Sequence, residues 1–245
     1  MHKITVIAEI GINHDGYMPI AESLIVQAKA AGADIAKFQV YDVDSLFPDH
    51  KIMANGKNWY DNVKGTQLTK DNVYYLAKVC KDNNIEFMAS AFDLERLGWL
   101  EEIGVKRHKI ATRMAKDKKY MTKVIETMKP VLVSTSGGDD LVRIEQAYEN
   151  QVAVLYCIPH YPTELSELNF ERISFDDDFG FDGFSDHTTG IIASEVAMSK
   201  GAWIIEKHFT YDRNSKTGPD HICSANFSQL RKIVQFARKV EKVYE

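Results

Sequence analysis

Eight short runs of β-branched and apolar residues recur along the 245 residues of this chain, most of them followed by a helix-like stretch, and this alternation restricts the fold more than any other feature. Thr5-Val6-Ile7-Ala8-Glu9-Ile10 is the first run. Residues 20–31 then carry apolar side chains at helical spacing and stop at Gly32, a residue suited to ending a helix. Further strands are expected at 35–39, 86–91, 106–112, 130–134, 153–157, 181–185 and 203–208. Helices are expected at 70–83 with Thr69 as N-cap, 93–103 ended by Gly104, 119–128, 140–149, 191–199 and, with an amphipathic pattern, 227–243. Residues 41–67 are polar with scattered aromatics, hold no clean period and read as an elaborated loop; 169–178 is short and irregular.

Eight strand–helix repeats in this length predict an α/β protein formed as a single (β/α)8 TIM barrel over residues 1–245. A doubly wound open sheet is the competing layout. It calls for a glycine-rich phosphate turn after the first strand, and Gly11-Ile12-Asn13-His14-Asp15-Gly16 lacks that spacing. With 44% hydrophobic residues there is material for a full core. A formal net charge of −5 argues against nucleic acid as the main partner. No signal-peptide pattern opens the chain, and no apolar run approaches the ~20 residues of a membrane span. Cys80, Cys157 and Cys223 are odd in number and far apart, which disfavours a disulfide framework. The expected compartment is the cytoplasm.

Active sites of such barrels lie at the C-terminal ends of the strands. Here the apolar runs end in ionisable and hydroxyl groups: Glu9; Lys37 and Gln39; Ser90; Lys109 and Thr112; Ser134; Tyr161 beyond the sixth run; Ser185 and His187; Glu206 and His208. Two lysines converging with hydroxyl donors suit a multiply charged anion. Two histidines on neighbouring strand tips can share a divalent metal with an open position to polarise a carbonyl. Taken alone, each residue has a plainer reading. A lone histidine at a strand end is more often a hydrogen-bonded structural residue, Lys109 could lie along a rim, Asp220 could simply form a Gly-Pro-Asp turn, and Cys157 reads as a small core residue. Recurrence at equivalent positions of successive repeats tips the balance toward a site.

The stretches Ile7-Ala8-Glu9-Ile10-Gly11-Ile12-Asn13-His14-Asp15-Gly16, Ala36-Lys37-Phe38-Gln39, Phe184-Ser185-Asp186-His187-Thr188, Glu206-Lys207-His208-Phe209-Thr210 and Gly218-Pro219-Asp220-His221 resemble, in the same order, the N-acetylneuraminate (sialic acid) synthase family. The resemblance implies a barrel enzyme that condenses phosphoenolpyruvate with an open-chain aldose of the N-acetylmannosamine kind. The products would be phosphate and a 2-keto-3-deoxy sugar acid, in polysaccharide biosynthesis. It further implies His187 and His208 as ligands of a divalent metal, Mn2+ or Mg2+, and Lys37, Ser90, Lys109, Thr112, Ser134 and Ser185 as the seat of phosphoenolpyruvate. Glu9, Gln39, Tyr161 and Asp220 would face the sugar or the reacting carbons, and a homodimer would be the assembly.

Several positions depart from the family pattern. Ser-Thr-Pro-Phe is replaced by Ala89-Ser90-Ala91-Phe92, and Lys-Ile-Gly-Ser-Gly-Glu by Lys109-Ile110-Ala111-Thr112-Arg113-Met114. Pro159 stands where an asparagine is expected. The family's antifreeze-like C-terminal domain does not follow the barrel, which raises the expectation of a separate lid protein. Two alternatives compete with a condensing enzyme. One is a non-catalytic barrel binding a sugar or an acid, alone or within a complex; the other is an aldolase using Lys37 or Lys109 as a Schiff base.

Overall fold

Successive residues of a strand point to opposite faces, so the apolar runs of this chain sort their side chains onto two sides. The computed structural model describes residues 3–54, 56–137, 144, 151–175 and 180–243. Its strands are β1 (Thr5–Gly11), β2 (Ile35–Val40), β3 (Glu86–Ala91), β4 (His108–Ile110), β5 (Val131–Thr135), β6 (Val152–Tyr156), β7 (Gly183–Asp186) and β8 (Ile204–His208). They form a closed parallel barrel in chain order, with β8 returning to β1. Val6, Ala8 and Ile10 face outward into the cluster that also holds Leu24, Ile25, Ile233 and Ala237 of the surrounding helices. Ile7, Ile35, Met88, Leu132, Leu155 and Ile204 make a separate buried cluster inside the barrel, its apolar floor.

Because the strand period is two, the next inward residue above each floor position follows directly: Glu9, Lys37, Ser90, Ser134, Cys157 and Glu206. Register places these side by side. Glu9 is paired with Lys37 on one side and His208 on the other, Gln39 with Ser90, Ser90 with Lys109, and Ser185 with Glu206. An apolar floor thus carries a polar ring one step nearer the C-terminal mouth.

The helices follow their end signals. Helix α1 (Met18–Ala31) has proline in its first turn and ends at Gly32, whose φ of 92° places it in the left-handed region and lets its N–H reach the carbonyls of Ala28 and Lys29. Helix α2 (Lys70–Asp82) opens on a capping box between Thr69 and Asn72, α3 (Leu94–Ile103) on the Asp93 side chain, and α4 (Lys118–Ile125) on that of Asp117. Helices α5 (Ile192–Ser199) and α6 (Phe227–Val243) complete the described set. From α6, Arg238 donates to the Ile4 carbonyl at 2.7 Å and to Asp34 at 2.8 Å, while Glu241 accepts from the Ile4 N–H at 2.7 Å. The last helix is thereby fastened to the first strand.

The structure corrects three expectations. β4 covers only His108–Ile110, because the chain turns away after Ile110 into a 3-10 turn at Met114–Lys116. The helix expected at 119–128 ends at Ile125, and Met128 has a φ of 58°. The 41–67 segment is ordered by pieces too short to show a period: helix Val43–Leu46, a two-stranded ribbon of Met53–Ala54 with Lys57–Asn58, and helix Tyr60–Gly65. Its Tyr41, Val43, Trp59, Tyr60 and Val63 close over Ile12 as a cluster of their own. The helix expected at 140–149 lies outside the described residues, apart from position 144, as do residues 176–178 of the irregular stretch at 169–178. Among the described residues, no helix is long and apolar enough to cross a membrane.

His14, in the turn after β1, is fully buried; its Nδ1 accepts from the Gly16 N–H at 3.1 Å and its Nε2 has no hydrogen-bond partner. Gly16 itself (φ 75°) lies so close to Gly65 that an added Cβ would meet the Gly65 carbonyl oxygen at 2.1 Å. Burial holds the His14 imidazole neutral, with its pKa lowered to about 4. The unfolded chain takes up this proton near pH 6.5 and the folded one only near 4, so the stabilisation is complete above 6.5 and drains away as pH falls through that window. At pH 5 the loss is about 2 kcal/mol relative to pH 7.5. Urea unfolding at the two pH values checks this: His14→Asn, whose side-chain oxygen takes the place of Nδ1, should show a pH dependence smaller by that amount.

Candidate active site

The inward alternation places four charged side chains in one buried ring. Lys37 Nζ lies 2.8 Å from Glu9 Oε2 and 3.4 Å from Glu206 Oε2, while Lys109 Nζ lies 3.5 Å from Glu206 Oε1. All four are 4% exposed or less. Hydroxyl and amide groups fill the remaining directions. Lys109 donates to Ser134 Oγ at 2.7 Å, Lys37 to Ser90 Oγ at 3.4 Å, Ser185 Oγ to Glu206 at 2.8 Å, and Gln39 Nε2 to Glu9 at 3.0 Å.

The charges hold one another in place. For Glu206, burial favours the neutral acid, but Lys109 and Lys37 outweigh it and bring the pKa down to about 2. For Lys37, burial favours the neutral amine, but Glu206 and Glu9 outweigh it and hold the ammonium above its ordinary range. An amine fixed in this way as a cation is no nucleophile, which counts against a Schiff base at this lysine. Lys109 is lowered by burial, and Glu9 is raised by burial against the pull of Lys37.

These groups line an inner chamber of about 40 Å³ together with Thr112, Cys157, Tyr161, His187 and His208. All the residues expected to seat phosphoenolpyruvate and both expected metal ligands therefore meet in one place. Gln39, Phe92, Ala111, Thr112 and Tyr161 also line an adjoining outer chamber of about 240 Å³, where Asp220 joins them. Burial, with the charge of Glu9, pushes the Asp220 carboxyl up to about 7. Its turn is stitched to the loop after β1: Asp15 accepts from Tyr211 at 2.6 Å, Thr217 at 2.7 Å and His221 Nε2 at 3.0 Å, and Asn13 donates to Ser224 at 2.9 Å.

The alternating residues of the Ser-Asp-His and Glu-Lys-His endings take opposite faces. Asp186 and Lys207 point out of the barrel and pair at 3.1 Å with no exposure; Asp186 also accepts from Ser194 at 2.6 Å and Thr188 at 2.7 Å, and Lys207 donates to the Thr188 carbonyl at 2.5 Å. This clamp leaves His187 and His208 facing inward. Their ring centres are 5.5 Å apart. Two imidazoles sharing an ion at metal–nitrogen distances of about 2.1 Å have ring centres roughly 5 Å apart.

His187 Nδ1 lies 2.8 Å from the Ile158 carbonyl oxygen, so it carries the proton and leaves Nε2 as a donor of its lone pair. His208 Nδ1 is buried without a hydrogen-bond partner, 3.7 Å from Asp220 Oδ2. Among the described residues, no group of three or more His, Cys, Asp or Glu side chains is arranged to hold an ion. The pair fits a metal whose remaining positions are taken by water or substrate.

Four residues given no site role from sequence belong to this region. Glu206 is the counterion of both lysines, and nothing in a strand-end motif says which carboxylate neutralises which ammonium. Cys157 is buried as expected, yet its Sγ lines the chamber 3.6 Å from His187 Nδ1. The floor-plus-two period through Leu155 is the signal that would have found it. Asp186 and Lys207 act from behind the strands.

Fold and site define a (β/α)8 barrel whose mouth brings two buried lysines beside two inward imidazoles. The chain belongs to the NeuB family, whose model matches residues 24–245, and it is an enzyme of the sialic acid synthase type. It is 32% identical to the N,N'-diacetyllegionaminic acid synthase of Legionella pneumophila, covering 97% of this chain and 72% of that one. The Campylobacter jejuni protein of the same name is 33% identical over 99% of this chain and 78% of its own length. A crystal structure of N-acetylneuraminic acid synthetase from Leptospira borgpetersenii in complex with citrate superposes with a TM-score of 0.87 at 30% identity, covering 98% of this chain and 85% of that one.

Replacing Glu206 by Gln leaves two buried ammonium groups short of a counterion. The expected cost is roughly 3 kcal/mol, read by urea unfolding, and millimolar inorganic phosphate should restore much of it. A Glu206→Gln protein as stable as the parent, and indifferent to phosphate, would show that the lysines do not depend on this carboxylate.

Proposed function

We propose that the protein condenses phosphoenolpyruvate with an open-chain, N-acylated aldose to give a 2-keto-3-deoxy sugar acid and phosphate. The observation that carries this reading is the position of Lys37 and Lys109, flanked by Ser90, Ser134, Ser185 and Thr112, directly beside the inward pair His187 and His208. The names of the matched relatives, synthases of diacetyllegionaminic and N-acetylneuraminic acids, point to acceptors of the acetamido-sugar class.

The two ammonium groups and the hydroxyls hold the phosphate and carboxylate of the donor, taking over counterion duty from Glu206 and Glu9. Donor and acceptor thus meet as a bound pair, with C3 of the enol aimed at the aldehyde carbon. His187 and His208 would hold a divalent ion, Mn2+ or Mg2+, which when bound polarises the aldehyde oxygen. One carbon–carbon bond forms, the aldehyde oxygen gains a proton, water adds at C2, and the C2–O bond breaks to release phosphate. Glu9, oriented by Lys37 and Gln39, and Asp220, at the outer boundary, are the carboxyl groups placed to carry those protons. Tyr161, whose ring centre is 4.1 Å from that of His187, walls the junction of the two chambers.

The test is direct. Protein incubated with phosphoenolpyruvate, Mn2+ and a panel of aldoses (N-acetylmannosamine, 2,4-diacetamido sugars, simple aldoses) should release phosphate in step with a 2-keto-3-deoxy acid. A panel that yields no phosphate overturns the proposal. Chelation should lower the rate by at least roughly 100-fold and added Mn2+ restore it, and His187→Ala and His208→Ala should each abolish that rescue. Lys109→Met should raise KM for phosphoenolpyruvate by about 10- to 100-fold while leaving acceptor KM near its parent value.

A further inference from the structure

The outer chamber is largely apolar in its far half, walled by Ile12, Leu46, Phe47, Ile52 and Val63. Among the described residues, Arg113 is the one basic residue that lines it. Its guanidinium carbon lies 4.3 Å from the Phe47 ring centre. Among the described residues, no carboxylate pairs with it. Arg96 by contrast rests on Asp93 at 2.9 Å, Arg107 on Glu86 at 2.8 Å and Arg238 on Asp34 at 2.8 Å. A cation settled on an aromatic face keeps its N–H fork free to donate, and from the wall of this chamber the fork can meet an incoming molecule.

Its place in the chain reinforces the point. Thr112 lines both chambers, whereas Arg113 lines only the outer one. A single turn after β4 therefore serves the donor site with a hydroxyl and the outer chamber with a guanidinium.

We propose that Arg113 is the residue that selects the acceptor, gripping oxygen atoms at the end of the sugar remote from the aldehyde. The inference rests on the condensing reaction proposed above. The ligand chemistry is an oxygen with lone pairs directed at the fork, supplied either by the carbonyl of an acylamino group at C4, beyond the one next to the aldehyde, or by a terminal phosphate. The inner chamber binds the anionic donor; the outer one reads the length and decoration of the acceptor.

The experiment compares the parent protein with Arg113→Met, which keeps an unbranched stem over Phe47, and with Arg113→Lys. Three acceptors are used: N-acetylmannosamine, a 2,4-diacetamido hexose and N-acetylmannosamine 6-phosphate. Arg113→Met should raise acceptor KM by about 10- to 100-fold, with KM for phosphoenolpyruvate unchanged within about twofold. The largest loss should fall on the 6-phosphate if the fork holds phosphate, and on the diacetamido sugar if it holds a carbonyl. Arg113→Lys should recover part of the phosphate preference and little of the carbonyl one.

Acceptor KM unmoved for all three sugars, or a KM for phosphoenolpyruvate that rises in step, overturns the assignment. Calorimetric titration of the same sugars needs no turnover and separates the two layers of inference. Equal acceptor binding by parent and Arg113→Met overturns the role of Arg113 even in an active enzyme. A parent protein that binds the sugars through Arg113 yet releases no phosphate leaves this assignment standing and overturns the reaction.

Discussion

One carboxylate, Glu206 of β8, meets two ammonium groups carried by β2 and β4, strands that flank β3, and the rest of the site is arranged around that contact. Burying a lysine in a protein interior is costly, and burying two side by side is worse. Glu206 and Glu9 make the pair tolerable while no anion is bound, and the serines that touch the ring supply hydrogen bonds without further charge. The two lysines and two carboxylates cancel in charge, so the chamber carries no excess field. In the proposed reaction an incoming phosphorylated acid offers the lysines better partners than Glu206 does. The binding energy then comes from exchanging one set of counterions for another and not from filling a void.

The same alternation that makes the ring also made it legible. Each floor residue of the barrel predicts a polar residue two positions later, and Glu9, Lys37, Ser90, Ser134 and Glu206 follow Ile7, Ile35, Met88, Leu132 and Ile204 in that way. Three helix ends were equally readable, because Gly32, Gly104 and Thr69 act within one turn of themselves, whereas the Asp93 and Asp117 caps were not singled out. These are local facts, and a chain displays local facts openly.

What stayed hidden depends on contacts between distant segments. The pairing of Asp186 with Lys207 decides that the two histidines point inward, but it joins neighbouring strands whose register a sequence does not print. The segment 41–67 looked shapeless because its helices are four and six residues long, below the length at which a period of 3.6 shows itself. It is organised by burial of Trp59, Tyr60 and Val63 against Ile12, a residue from the other end of the site. Cys157 was read as core and is indeed buried, but burial inside a barrel near its mouth is also exposure to a chamber.

This separation of local from distant determinants gives the site its division of labour. Residues proposed to hold the donor come mostly from the strands, where pleat and register place side chains tightly and a change of one residue reverses the face. The outer chamber is built mainly from what lies between strands: the 41–67 segment, the turn carrying Thr112 and Arg113, Pro159 and Tyr161 after β6, and Pro219 with Asp220 after β8. Such loops can change residue and length without disturbing the barrel's hydrogen bonds. On the proposed reaction the inner chemistry is therefore tied to the architecture, while choice of acceptor is left to a few side chains, among them a guanidinium resting on a phenyl ring.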